Sequence, residues 1–391
     1  MLIHPLIADS ASLKSLCDRL ARHDFVAFDT EFMRENSYYP DLCLIQIGSP
    51  EEAAAIDPKA PGIDLTPLLD LLVENEDVLK VCHAGSQDLE IIYNLTGKVP
   101  HPMFDTQIAA MALGLGEQVG YSGLVESYTG ERVDKGARFT DWARRRLDQR
   151  QLDYAITDVT HLVALFPKML AQLRKRNRGD WLDEEMQRLT DTANYANDPD
   201  AAWTRMRLPS RKPEVLGRMK ALAAWREREA RGKNIPRGRI MKEETLADLA
   251  GSPPKSQTAL SHVRGLSSGW ASNDIGARLM AVLQAAEPLP ETEMPPRNEN
   301  RPGLGQSSAL VADLVKLLLK IRAKEAGVAP RLIARSEEME LLAAGHRQGL
   351  SILEGWRHEL FGRDALDLVE GRLAFAVKNG KLRMTRTEDA P

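Results

Sequence analysis

The hydrophobic pattern of this 391-residue chain changes character once, and that change limits its possible folds more than any other feature. Short apolar runs rich in β-formers are read in the first hundred residues. DFVAFDTE (24–31), LCLIQIG (42–48), a weaker run at 53–57 and DVLKVCH (77–83) read as strands. Around them, apolar residues recur at helical spacing over 10–23, 65–74, 87–96, 106–113 and 148–176. From residue 212 onward the periodic segments are helical. The spacing therefore predicts an α/β sheet domain followed by all-α blocks, not one uniform architecture.

The boundaries follow from local composition. The sheet domain takes 1–178 and a helical connector 179–210. A first helical block spans 211–290, with Gly and Pro clusters at 232–238 and 251–254 marking its turns. Pro, Gly and polar residues dominate 291–308, which predicts a linker. A second helical block runs over 309–378, and the polar residues after it are expected to fray. Both blocks open on a long amphipathic helix with basic residues, then a turn, then short helices (ETLADLA and RSEEMELLA). That layout is expected of a diverged internal repeat.

Several function classes are excluded or disfavoured by what the chain lacks. No run of about 18 apolar residues exists, so no membrane-spanning helix is expected. The first residues, MLIHPLIADSASL, have no basic segment before an apolar core, so no signal peptide is expected. Cys17, Cys43 and Cys82 form neither a CxxC pair nor a disulfide framework, which fits a reducing cytoplasm. No GxxxxGK[ST] loop occurs, which argues against a helicase. The formal net charge of −4 conceals an asymmetry. Residues 1–200 hold 33 acidic and 20 basic residues, and residues 201–391 hold 23 and 32. Two tasks in one chain would produce such a split.

The chemistry is carried by three small acidic signals. Asp29 and Glu31 end the run VAFDTE, and alternate residues of a strand share a face. Two carboxylates that close repel, and a hard divalent cation removes the cost of burying them. Asp88 follows the turn HAGSQ, in the first turn of a predicted helix, where the helix dipole also favours an acid. Tyr154 and Asp158 lie four residues apart, on one face of the long helix. Each signal alone has a bland explanation. Together, four carboxylates and a phenol can hold two divalent cations about 3.5–4 Å apart. Such a pair serves phosphodiester hydrolysis, one ion activating water and the other stabilising the leaving oxygen. Tyr154, with an ordinary pKa near 10, is better suited to orient water than to act as a strong base.

D-x-E on a first strand, an Asp after HAGSQD's turn and Y-x-x-x-D on a late helix resemble the three motifs of the DEDDy 3′→5′ exonucleases. The flanking segments FDTEFMRENSYYPDLCLIQIG, HAGSQDLEII, DTQIAAMALG, DKGARFTDWARRRL and QLDYAITDVTHL are similar to the bacterial ribonuclease D family over roughly residues 20–180. WREREARGKNIPRGRIM with LADLA, and less specifically ILEGWRHELFG, resemble HRDC domains (helicase and RNase D C-terminal). The resemblance implies an α/β ribonuclease H-like exonuclease domain followed by two all-α HRDC-like domains. It implies that Asp29, Glu31, Asp88 and Asp158 bind two Mg²⁺ or Mn²⁺ ions and that Tyr154 orients the attacking water. It further implies an RNA substrate with a free 3′ end, precursor tRNA among them, and release of 5′-mononucleotides.

Other residues bear on substrate. Phe32, beside the acids, is a candidate for stacking on a terminal base, and His83 for reaching the substrate. Asp105 in FDTQ reads as a helix N-cap. Thirteen basic residues against six acidic ones over 201–250 predict phosphate contacts, with Arg226 and Arg237 among the candidates. Arg144, in a run of three arginines, is another. No membrane and no obligatory protein partner is expected. The competing readings are a DNA 3′→5′ exonuclease, which would use the same acids, and a noncatalytic RNA-binding protein.

Overall fold

A computed structural model describes residues 1–134, 136, 140–295 and 306–386. The first part runs β1 (Leu2–Ile3), α1 (Ser10–Leu20), β2 (Phe25–Met33), β3 (Asp41–Gly48), β4 (Glu52–Ile56), α2 (Thr66–Val73), β5 (Leu79–Cys82), α3 (Ser86–Thr96), β6 (Met103–Asp105), α4 (Thr106–Ala112), α5 (Tyr121–Thr129) and α6 (Gln149–Lys175). Its strands form one sheet in the order β1-β4-β3-β2-β5-β6. β2 pairs antiparallel with β3 and parallel with β5. Helices cover both faces. Val26 and Phe28 point to α1, α2 and α3, whereas Ala27 points to the core built on α6. α6 begins at Asp148, whose side chain caps it in a box with Gln151. It lies close against the sheet at Gly48, where a Cβ would already be 3.2–3.6 Å from Ala53, Val159 and Val163.

α7 (Asp183–Thr190) belongs to the connector. The first helical block contains α8 (Pro213–Lys233), α9 (Arg237–Ile240), α10 (Glu243–Gly251) and α11 (Asp274–Ala285). The second contains α12 (Gln306–Ala326), α13 (Pro330–Ile333), α14 (Ser336–Ala343), α15 (Gly355–Arg357), a π-helical turn (His358–Gly362) and α16 (Arg363–Val369). Here the structure corrects the expectation of helix to the end and a frayed tail. β7 (Leu373–Lys378) and β8 (Lys381–Arg386) form a hairpin, with Arg386 donating to Asp364 and Asp367. Most of the predicted linker, residues 296–305, lies outside the described residues, as do 387–391 and most of the KGARF stretch.

Both blocks are docked on the sheet domain. Tyr38, in the β2–β3 loop, is buried and donates its hydroxyl to Glu227 of α8, while Arg231 and Arg237 donate back to it. On the other side Trp181 stacks on Trp356, with centroids 4.1 Å apart and planes 7° from parallel. Arg357, only 6% exposed, pairs with Glu184 and Glu185. Ala329 N–H donates to the Met111 carbonyl at 2.9 Å. One apolar core runs without a break from α4 and α6 into α12, α13 and α14.

Candidate active site

The site lies where β2 leaves the sheet. Asp29 and Glu31 stand on the α6 side of β2, two residues apart, and the β2–β3 register slips immediately after Glu31. A bulge there re-aims the chain beyond it, which brings Phe32 and the following loop over the acids. α6 supplies Asp158 on the same side. Carboxylate oxygens of Asp29, Glu31 and Asp158 all lie within 4.8 Å of one another.

Asp88 arrives from the opposite face of the sheet. The turn from β5 into α3 is tight, since a Cβ on Gly85 would come within 2.4 Å of the Cys82 sulfur. Asp88 follows in the first turn of α3, and Thr30, which points to that face, donates its hydroxyl to the Asp88 carboxylate. Thr30 thus ties the fourth acid to the strand that carries the first two. Burial pushes the Asp88 carboxyl up to about 6. Asp29 is raised well above its ordinary value, by burial first and then by Asp88, Asp158 and Glu31. An all-oxygen set of crowded, desolvated carboxylates is the donor chemistry of a Mg²⁺- or Mn²⁺-type ion, so these residues fit such a group.

A cavity of about 650 Å³ opens above the acids. It is lined by Asp29, Glu31, Asp88, Tyr154 and Asp158, and also by Phe32 and His83. All five residues of the expected catalytic set therefore meet there, with both candidate contacts nearest to them. His83 Nδ1 is 2.9 Å from the Thr106 hydroxyl, and burial lowers its pKa. Arg144 is exposed and does not line the cavity. Its neighbour Arg145 is a strut, donating to the Cys43 carbonyl and to Asp57. Asp105 is an N-cap, as its motif suggests, and more. It accepts from the backbone N–H groups of Gln107 and Ile108 and also of Ala84 and Gly85, bracing the turn ahead of Asp88.

Two residues expected to contact phosphates have partners within the protein. Arg226 is 7% exposed, its guanidinium facing the Met241 carbonyl and the Met206 sulfur. Arg237 is held by Glu227 and Tyr38. Both pack around α8, an engagement that basic density in the sequence does not reveal.

Tyr121 was not anticipated. It lines the cavity, rests on the His83 ring at 5.5 Å and donates its hydroxyl to the Asp158 carbonyl. Burial raises its pKa. The sequence signal was weak because α5, YSGLVESYT, shows little amphipathic contrast. Thr30 was also missed, although its position between the two acids places it on the opposite face by strand alternation.

Comparison with known proteins agrees with this geometry. A 3′-5′ exonuclease family model matches residues 5–174, and an HRDC domain model matches residues 215–283. Ribonuclease D of Sphingobium indicum is 67% identical over 388 residues, covering 99% of this chain and all of that protein. Ribonuclease D of Zymomonas mobilis is 62% identical with the same coverage. The crystal structure of Escherichia coli RNase D, described as an exoribonuclease involved in structured RNA processing, superposes with a TM-score of 0.77. It shares 28% identity and covers 94% of this chain and 99% of that one. Among the described residues, no helix is long and apolar enough to cross a membrane.

Proposed function

The chain belongs to the ribonuclease D family of 3′→5′ exoribonucleases, and from that premise we propose how its residues perform the reaction. Asp29, Glu31, Asp88 and Asp158 hold two divalent cations, and the single observation that carries this reading is the convergence of Asp29, Glu31 and Asp158 within 4.8 Å. When bound, such ions supply the Lewis acidity that activates water and stabilises the leaving 3′-oxygen. Tyr154, one turn before Asp158 on α6, orients the attacking water from the cavity wall. Thr30 and Tyr121 are positioning residues, fixing the Asp88 carboxylate and the Asp158 backbone. Phe32 offers a face to the terminal base, and His83 borders the same pocket.

The RNA substrates are 3′-extended precursors, tRNA precursors among them, cut one 5′-mononucleotide at a time in the cytoplasm. The second helical block is a diverged HRDC unit. Its α12, α13 and α14 have 21, 4 and 8 residues, beside 21, 4 and 9 in α8, α9 and α10. The test is hydrolysis of matched RNA and DNA oligonucleotides and of a 3′-extended tRNA, with Mg²⁺, by the wild type and Asp29→Asn. Stepwise loss of 3′ nucleotides from RNA by the wild type alone is expected. Unchanged trimming by Asp29→Asn overturns the metal assignment, and faster cleavage of DNA overturns the RNA preference.

A further inference from the structure

A second cavity, of about 1140 Å³, lies between the sheet domain, the connector and both helical blocks. It meets the active-site cavity through Arg34, Gln87 and Gln107, which line both. Any chain whose 3′ end reaches the acids from this side must pass along it.

The arginines on its walls differ in how they are engaged. Arg34 is bidentate to Glu90, Arg188 is paired with Glu184 and Glu185, and Arg237 with Glu227. Arg331 on α13 and Arg335 just before α14 also line the cavity, and both are exposed. Among the described residues neither has an acidic partner within ion-pair distance; of the other two wall arginines without one, Arg205 donates to Asn197 Oδ1 and Arg226 is buried. Glu338, three residues beyond Arg335, accepts from the Ser351 backbone N–H and hydroxyl and from the Arg335 backbone N–H. The backbone that carries the two side chains is held in place. Leu332 and Ile333 between them are buried, and α13 is pinned to α4 by the Ala329–Met111 hydrogen bond. Two uncompensated cations on an anchored backbone beside a passage to a nuclease site are set for phosphates.

We propose that Arg331 and Arg335 of the second helical block bind backbone phosphates of the single-stranded RNA segment that leads to the active site. The inference rests on the exoribonuclease reading, since it supposes that RNA occupies this cavity. It assigns the second block a direct part in substrate binding, at residues remote in sequence from the acids and from the dense basic segment at 201–250.

The test compares wild type with the double variant Arg331→Ala/Arg335→Ala on single-stranded RNAs of two to fifteen nucleotides. Binding is read first in EDTA, by fluorescence anisotropy of a labelled fifteen-nucleotide RNA across salt concentrations, so that chemistry plays no part. Each lost phosphate contact lowers the log–log salt slope by about 0.7, so a decrease of about 1.4 is expected. In Mg²⁺, the ratio of variant to wild-type KM should grow with RNA length. Arg331→Lys/Arg335→Lys should restore most of the salt slope. An unchanged slope, or a KM ratio independent of length, overturns the proposal. Failure of the wild type to hydrolyse any RNA in Mg²⁺ strikes instead at the exonuclease reading, because the EDTA binding result stands independently.

Discussion

The acids of the site make the stability of the metal-free protein depend on pH in an unusual direction. The Asp88 carboxyl is raised from 3.8 to about 6, chiefly by burial. A raised folded-state pKa means that the group stabilises the fold fully below its unfolded value, near pH 4, and loses that contribution as pH rises through 6. The difference corresponds to about 3 kcal/mol. Asp29 moves the same way and adds to it. A bound divalent cation reverses the effect, because it prefers the ionised carboxylates. Thermal unfolding in EDTA and in Mg²⁺, at about pH 5 and about pH 8, measures this. About half of that difference, ~1.4 kcal/mol, is titrated between these two pH values, so the Mg²⁺-induced rise in Tm should be larger at the higher pH by roughly 3–6 °C from Asp88 alone, taking 2–4 °C per kcal/mol for a domain of this size. Comparing increments at each pH cancels the ordinary titration of surface acids. Asp88→Asn keeps an acceptor for the Thr30 hydroxyl and removes the charge, so in EDTA at pH 8 it should melt above the wild type. Equal Mg²⁺ increments at both pH values, or an Asp88→Asn protein that melts lower in EDTA at pH 8, would refute the reasoning.

Tyr154→Phe removes only a hydroxyl and should lower kcat on the order of 10²-fold while the Mg²⁺-induced rise in Tm persists; parallel loss of both contradicts a water-orienting role. Asp105→Ala strips an acceptor from four backbone N–H groups and should cost about 3 kcal/mol in urea unfolding. A cost below about 1 kcal/mol would show that water replaces the carboxylate. Arg357→Ala leaves Glu184 and Glu185 to Arg188 alone and the Leu332 carbonyl without the Arg357 donor. A loss of about 2 kcal/mol is expected, discounted because both acids are partly exposed, and faster tryptic cleavage should accompany it. Unchanged cleavage would mean that the Trp181–Trp356 stack and the shared apolar core hold the block without it.

The parts of the molecule that sequence reveals are those with a repeating physical cause. β2 alternates cleanly enough that Asp29 and Glu31 share a face, and α6 is long enough that Tyr154 and Asp158 are separated by one turn. All five catalytic candidates were therefore legible. β1 and β6 were not, because two or three residues carry no period. The β7–β8 hairpin escaped for a different reason. Its strands are mostly exposed, and only Leu373, Phe375 and Met384 reach the core, with arginine–aspartate pairs holding the rest. Thr30 and Tyr121 act through single hydrogen bonds across the site, and such pairings leave no trace in periodicity.

The basic half of the chain shows why charge density and phosphate affinity are separate quantities. Thirteen Lys and Arg fall within 201–250, yet many are committed internally. Arg226 is buried, Arg228 pairs with Asp200, Lys233 with Glu229, and Arg237 with Glu227. Arg218 donates to the Ala250 carbonyl and Arg231 to Tyr38. An arginine neutralised by its own carboxylate gains little by meeting a phosphate, since one ion pair must break to form another. Counterion release on RNA binding counts only the cations that gain a new neutralising partner. On that basis the cations of this segment that already hold a carboxylate, Lys220, Arg228, Lys233 and Arg237, contribute little, whereas Arg331 and Arg335 stand beside the active-site passage without one. The salt slope of RNA binding should accordingly follow the unpaired cations lining the cavity, and not the basic count of the segment.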